Sequence, residues 1–192
     1  MKLVLGSASA RRKELLLQLG FAPVAIRPAY IDETPLRGER PRRYCRRMAH
    51  EKALAVPISS TEVVLCGDTT VALGHRILGK PHGREEAAAF LEMLSGRRHR
   101  VITAITLKHA SAFLKRDVQS YVRFKRLSKQ EIEAYLDTGD WRGKAGGYAL
   151  QGPASAFVPW ISGSYSAIIG LPLAEVYALL TSIGLKAFEN RT

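Results

Sequence analysis

The pattern of apolar and polar positions divides the chain into short strands and amphipathic helices before any chemistry is considered. Lys2 to Gly6 is an apolar run the length of a short buried strand, followed by the small-residue turn Ser7-Ala8-Ser9-Ala10-Arg11-Arg12. Leu15, Leu16 and Leu19 then recur at helical spacing and Gly20 supplies a stop, which predicts a helix to about Leu19. Phe21 to Arg27 predicts a second extended segment. Arg40 to Val56 predicts a helix with Tyr44, Met48 and Leu54 among its apolar positions. Glu62 to Gly67 predicts a buried strand that ends in Asp68-Thr69-Thr70, after which the chain continues through Val71 to Leu73.

A hairpin is expected at Gly74-His75-Arg76, then a helix over about Glu85 to Leu94 closed by Ser95-Gly96. Val101–Leu107 and roughly Ser120–Arg126 alternate as two strands, with a basic turn expected between them. Ser128-Lys129-Gln130-Glu131 has the spacing of a capping box and predicts a helix through about Leu136. After a glycine-rich stretch and an apolar segment at Ala154–Ile161, Gly163 to Pro172 predicts a loop, a strand and a turn. Pro172 then opens a final helix that ends near Gly184. Strands and helices alternate without strict order, which predicts an α/β fold: a mixed sheet flanked by helices. The 192 residues fit one domain, expected over 1–186, with 187–192 a frayed tail.

Composition narrows the class. A content of 46% hydrophobic and 24% charged residues excludes a disordered chain. No apolar run reaches membrane-spanning length and the first residues are too short for a signal-peptide core, so a cytoplasmic protein with no membrane partner is expected. Cys45 and Cys66 lack metal or redox spacing and read as reduced thiols. The net charge of +12 makes an anionic partner plausible. Much of the excess sits at Arg37, Arg40, Arg42, Arg43, Arg46 and Arg47. A solvated helix face is the favoured reading of that cluster, and nucleic-acid binding is the alternative.

Several stretches carry candidate chemistry. Gly139 to Gly152 holds five of the 16 glycines, with Lys144, Tyr148 and Gln151 among them; it suits a loop folded on a small polar ligand or a tight structural connection. The strand-turn-helix at Ser7–Arg12 offers free helix amides, the hydroxyls of Ser7 and Ser9 and the cations Arg11 and Arg12 to a phosphate, although one serine as helix cap explains it equally. Asp68, at the end of an apolar strand, is either aimed into a site or caps a turn. Asp32-Glu33 either holds a cation or lies exposed. Familiar alternatives fail: Gly74 to Lys80 has Walker A spacing but Pro81 replaces the hydroxyl, no G-x-S-x-G elbow occurs, His50-Glu51 lacks the second zinc-protease histidine, and the five histidines show no ligand spacing. What remains is Glu33 and Asp68 with Lys52, Lys80, Lys144, Arg11 and Arg12, a set that suits Mg²⁺ and a polyphosphate.

The chain resembles the Maf family of nucleoside triphosphate pyrophosphatases. The resemblance rests on Ser7-Ala8-Ser9-Ala10-Arg11-Arg12, Asp32-Glu33, Glu51-Lys52-Ala53, Gly67-Asp68-Thr69, Gly79-Lys80-Pro81, Gly143-Lys144-Ala145-Gly146 to Gln151-Gly152, and Gly163-Ser164-Tyr165 to Gly170-Leu171-Pro172. These follow the family's order from Leu3 to about Gly184; Ala10 departs from a common proline. The resemblance implies an elongated fold similar to inosine triphosphate pyrophosphatases, with a cleft between two lobes, and commonly a homodimer. It implies hydrolysis of a nucleoside triphosphate to the monophosphate and pyrophosphate with a divalent metal, Mg²⁺ or Mn²⁺, as house-cleaning of nucleotide pools. Asp68, Lys52 and Lys80 are then the catalytic residues, with Asp68 as proton acceptor or metal ligand and Glu33 as a second metal ligand. Ser7, Ser9, Arg11, Arg12, Thr69, Lys144 and Gln151 bind substrate. Arg12, Thr69 and Gln151 match the branch acting on dTTP and UTP; because a flipped Gln151 amide also suits cytosine, CTP is expected as a slower substrate rather than an excluded one. The competing class is a nucleic-acid-binding or division-regulating protein, in keeping with the family's association with septum formation.

Overall fold

Three twelve-residue strands, β3 (Glu62–Leu73), β5 (Arg98–His109) and β6 (Ala112–Arg123), run the length of the sheet. The structure, a computed structural model, describes residues 1–188. Shorter strands extend the sheet: β1 (Lys2–Leu5), β2 (Ala25–Ile26), β4 (Arg76–Leu78) and β7 (Trp160–Ser162). The order is β2-β1-β3-β5-β6-β7, with β4 beside β3. β1 lies parallel to both β2 and β3, and every other pairing is antiparallel. The sheet is therefore mixed.

Among the described residues six α-helices cover it: α1 (Ala10–Gln18), α2 (Pro41–Ala55), α3 (Arg84–Leu94), α4 (Lys129–Asp137), α5 (Tyr165–Ile169) and α6 (Leu173–Ser182). α2 lies on one face, where Cys45, Ala49 and Ala53 meet Val64, Cys66, Ile102 and Ala104. The opposite face carries two separate apolar clusters. One gathers α1, α5 and α6 over Leu3, Leu5, Val63, Leu65, Ile105 and Leu107. The other gathers α3, α4 and the residues after them over Val71, Val101 and Val122. The long strands pass beneath both, and the gap between the clusters is a cleft.

The β5–β6 hairpin corrects the sequence reading. Its turn is at Ala110, whose φ is 50°, and β6 begins at Ala112 rather than near Ser120. Lys115, Arg116 and Asp117 look like a polar turn but sit within the strand. The Asp117 side chain is 3% exposed; it accepts from Arg42 Nε at 2.6 Å and is ion-paired with Arg46 Nε, also at 2.6 Å. A nearly buried carboxylate is tolerable only with such partners. The same contacts account for much of the arginine cluster: Arg42 and Arg46 fix α2 to β6, and Arg47 pairs with Glu39 at 2.7 Å and Glu51 at 3.2 Å. These cations are committed within the fold.

The second correction is α5, where the strand expected within Gly163–Pro172 is a helix. Ser164 caps it by accepting from Ala167 N at 3.2 Å, and Gly170, at φ 146°, ends it. At the far end, the start of the expected tail is held: Phe188 N donates to Leu19 O at 3.2 Å and its ring stacks on Tyr177. Residues 189–192 lie outside the described residues.

Candidate active site

The cleft opens where the sheet is incomplete. β1 leaves β3 after the Leu5–Leu65 pair and β4 joins only at Val71. Cys66 to Thr70 thus have no strand on that side among the described residues. Successive strand side chains point to opposite faces, so Asp68 turns toward α2 and Thr69 toward α5; at an open edge both reach one cavity. That cavity has a volume of about 680 Å³. Ser7, Ser9, Arg11, Arg12, Glu33, Lys52, Asp68, Thr69, Lys80, Lys144 and Gln151 all line it. Gly6 is required at its edge, because a Cβ there would overlap Cys66 Sγ.

At the turn between β1 and α1, Ser9 Oγ caps the helix by accepting from Arg12 N at 3.4 Å. Ser7 Oγ accepts from Ser9 N at 3.2 Å and from Arg12 Nη1 at 3.0 Å. As acceptors here, both hydroxyls keep their protons for a ligand. Capping and anion binding are therefore compatible readings of the turn. Arg12 also donates from Nε to Gly170 O at 3.0 Å and from Nη2 to Thr69 Oγ1 at 3.2 Å. Burial lowers its pKa from the usual arginine value, with Asp68 the leading opposing influence.

Lys52 is the centre of the charged group. Its Nζ lies 2.7 Å from both Asp68 Oδ1 and Glu33 Oε1. Thr70 Oγ1 donates to Asp68 Oδ2 at 3.2 Å, and Lys80 Nζ stands 3.3 Å from Glu33 Oε2. Burial works to lower the Lys52 pKa, but Asp68 and Glu33 outweigh it and hold the ammonium above its usual range. Burial likewise works to raise the Glu33 pKa, and Lys52 followed by Lys80 brings it below the usual carboxylate value. Tyr44 donates to Glu33 O at 2.8 Å and so fixes this loop. Of the expected acid pair only Glu33 enters the cleft: Asp32 accepts from Thr34 N at 2.9 Å and closes its own turn.

Two carboxylates are a sparse metal site. Among the described residues no group of three His, Cys, Asp or Glu could hold an ion. Mg²⁺, however, commonly takes one or two carboxylates and completes its shell with substrate phosphates and water. Glu33 and Asp68 fit an ion that shares its ligands with a phosphate. The cleft lining as a whole has six cations, Arg11, Arg12, Lys52, Lys80, Arg142 and Lys144, against those two acids, an excess that suits a polyanion.

The glycine-rich stretch forms the facing wall. Gly146 has φ +70° and a Cβ there would stand 2.9 Å from Val71, so both backbone angle and space demand glycine. Tyr135 OH donates to Gly147 O at 3.2 Å. Lys144 Nζ is bound by Asp140, through its backbone oxygen and through Oδ1 at 3.1 Å, so its charge reaches the cleft partly offset. Tyr148 backs the wall, with its OH 2.7 Å from His99 Nε2. Sequence reading missed Tyr30 and Arg142, which also line the cleft, and Asp140, which holds Lys144. Neither Tyr30 nor Arg142 lies in a patterned element, and only the four-residue spacing of Asp140 and Lys144 was a signal.

His99 gives a pH prediction. It is 2% exposed, and burial pulls its pKa down to about 4 from an ordinary 6.5. The folded state thus keeps it neutral while the unfolded chain protonates it. Stability should be unaffected by this residue above pH 6.5 and fall as pH drops from there toward about 4, by up to ~3 kcal/mol. Chemical unfolding of wild type and His99→Gln across that range tests this; equal pH slopes in the two proteins would refute it.

Residues 2–183 match the family described as Maf, Maf-like protein. A protein of Roseobacter denitrificans named dTTP/UTP pyrophosphatase is 62% identical over 183 residues, covering 95% of this chain and 97% of the relative. One of Anaplasma marginale (strain Florida), named nucleoside triphosphate pyrophosphatase, is 51% identical over 180 residues and covers 93% and 92% of the two chains. Among solved structures, a HAM1 protein from Coxiella burnetii superposes with a TM-score of 0.52 at 15% identity, covering 95% of this chain and 99% of that one; the likeness is one of fold.

Proposed function

Because this chain belongs to the Maf family, we propose that it is a pyrophosphatase that hydrolyses nucleoside triphosphates to the monophosphate and pyrophosphate. The observation that carries this reading is the Lys52 ammonium shared by Asp68 and Glu33 at the open edge of β3, facing the anion-binding turn across one cleft. Ser7, Ser9, Arg11 and Arg12 bind phosphate oxygens at the start of α1. Asp68 holds the attacking water and takes its proton as the bond to the α-phosphorus forms. The bond to the bridging oxygen breaks, and Lys52 and Lys80 meet the charge that gathers on pyrophosphate. Glu33 and Asp68 would hold a divalent cation, which when bound would supply further charge neutralisation.

The base preference is for thymine and uracil. Gln151, Thr69 and Arg12 all line the cleft, and an amide both accepts from N3–H and donates to a ring carbonyl, whereas a carboxylate only accepts. Gln151→Glu should therefore lower kcat/KM for dTTP, by about 5- to 150-fold for a mismatched polar contact costing ~1–3 kcal/mol.

Product analysis with dTTP, UTP, CTP, ATP, GTP and 7-methyl-GTP tests both levels. Pyrophosphate and monophosphate are expected, dTTP and UTP fastest. Orthophosphate alone would place the chain among other phosphohydrolases, and no turnover would favour a binding protein. A guanine nucleotide preferred to dTTP, or a dTTP rate unchanged in Gln151→Glu, would overturn the base assignment.

A further inference from the structure

A hydrogen-bond chain beneath the cleft has its direction fixed by chemistry alone. Thr103 Oγ1 lies 2.6 Å from Ala167 O, and a carbonyl can only accept, so the single Thr103 proton is spent there. The next amides of α5 do not compete, since Gly170 N and Leu171 N both go to Ser166 O at 3.0 Å. Thr103 Oγ1 is also 3.0 Å from Thr69 Oγ1. With its own proton committed, Thr103 must accept in that contact and Thr69 must donate. Arg12 Nη2, which can only donate, completes the chain by giving to Thr69 Oγ1 at 3.2 Å. Thr103 is 0% exposed, so water cannot stand in for either partner.

We propose that Thr103 is a specificity-determining positioning residue: by taking the only proton of Thr69, it makes the Thr69 hydroxyl an obligate acceptor toward the nucleobase. Thr103 itself touches no substrate. Its effect is on polarity: a free threonine hydroxyl can donate or accept and so tolerates either edge of a base, whereas Thr69, with one lone pair left, can only receive a proton. At N3 uracil and thymine carry a donor and cytosine an acceptor. The Gln151 amide can flip to suit either, whereas an acceptor-only Thr69 hydroxyl sharing the N3–H with the Gln151 oxygen meets only a lone pair in cytosine, so it favours the first two. The pairing of Thr69 with Thr103 across β3 and β5 holds the arrangement rigidly from within the sheet. This inference rests on the reading that Thr69 contributes to base recognition.

The test compares Thr103→Val, which keeps the shape and loses the hydroxyl, with Thr103→Ser, which keeps the hydroxyl. The readout is the ratio of kcat/KM for CTP to that for UTP. Thr103→Val should raise the ratio by about 5- to 50-fold, the effect of releasing one mispaired polar contact, while Thr103→Ser stays within about twofold of wild type. Should Val prove misfolded by circular dichroism, Thr103→Ala carries the same expectation with less steric demand. A purely structural role would lower both kcat/KM values together and leave the ratio unchanged, which overturns the proposal. Thr69→Val is measured alongside. If it shifts the ratio while the Thr103 variants do not, the relay fails and the recognition reading stands. If Thr69→Val leaves the ratio unchanged, the recognition reading fails and the relay falls with it.

Discussion

Asp68→Asn is expected to lower kcat/KM by about thirty- to a thousand-fold with the fold retained, the loss corresponding to ~2–4 kcal/mol of transition-state stabilisation. The shape of the side chain is preserved, and its amide oxygen can still accept from Lys52 or Thr70. What disappears is the charge that draws a proton from water or binds a cation. Lys52 keeps its second partner, Glu33 at 2.7 Å, so no unpaired ammonium is left in the wall. Steady-state rates should be paired with thermal unfolding on the same samples. A folded variant that retains more than about a third of wild-type turnover would remove Asp68 from both roles.

Lys52→Met is expected to damage activity and stability together. Lys52 is 8% exposed and its ammonium stands between two carboxylates, so its removal leaves Asp68 and Glu33 facing each other across a partly dry gap. Breaking a buried ion pair by deleting one partner commonly costs ~3–5 kcal/mol, and losing a cation aimed at developing charge costs about 10²–10³-fold in kcat. Lys80→Met provides the comparison. The Lys80 side chain is 59% exposed and meets Glu33 at 3.3 Å, so its loss should slow turnover with little change in unfolding free energy. Adding Asp68→Asn to Lys52→Met should restore part of the lost stability, because the orphaned carboxylate is then gone. A fully stable Lys52→Met would mean that the shared ion pair contributes nothing to the fold.

The elements that the chain discloses in advance are those whose signals are local. The capping box at Ser128 and Glu131 forms as its spacing requires, with both reciprocal bonds present. The buried run from Glu62 forms a strand as its apolar pattern requires, although it runs through Asp68-Thr69-Thr70, where an end was expected, to Leu73. The failures involve partners distant in sequence. Asp117 is acceptable inside β6 only because Arg42 and Arg46 arrive from α2, and no local pattern announces that. The Ile168-Ile169 pair resembles a strand, whereas Ser164 and Gly170 enclose a five-residue helix too short for helical periodicity to register. In the cleft, Lys52, Asp68 and Lys80 stand out as charges within motifs. Thr103 does not, because a buried threonine in an apolar strand looks like ordinary β-sheet filler until its neighbours across the sheet are known.

The bond from Arg12 to Gly170 spans 158 residues of chain, and this separation has a consequence for how the protein comes into being. During synthesis at about 5–20 residues per second, Arg12 is made roughly 8 to 30 seconds before its partner exists. Until then the turn at Ser7–Arg12 lacks the carbonyl that orients its guanidinium, and Thr103 lacks the Ala167 oxygen that receives its proton. The nascent chain can build β3, β5 and α2 early, yet the wall of the cleft is finished only by its last segment. Truncation before α5 removes the Gly170 and Ala167 oxygens together with Ile169, Leu171, Val176, Leu179 and Leu180 of the cluster over Leu3 and Leu5, so the cleft wall and that part of the core are left unfinished at once.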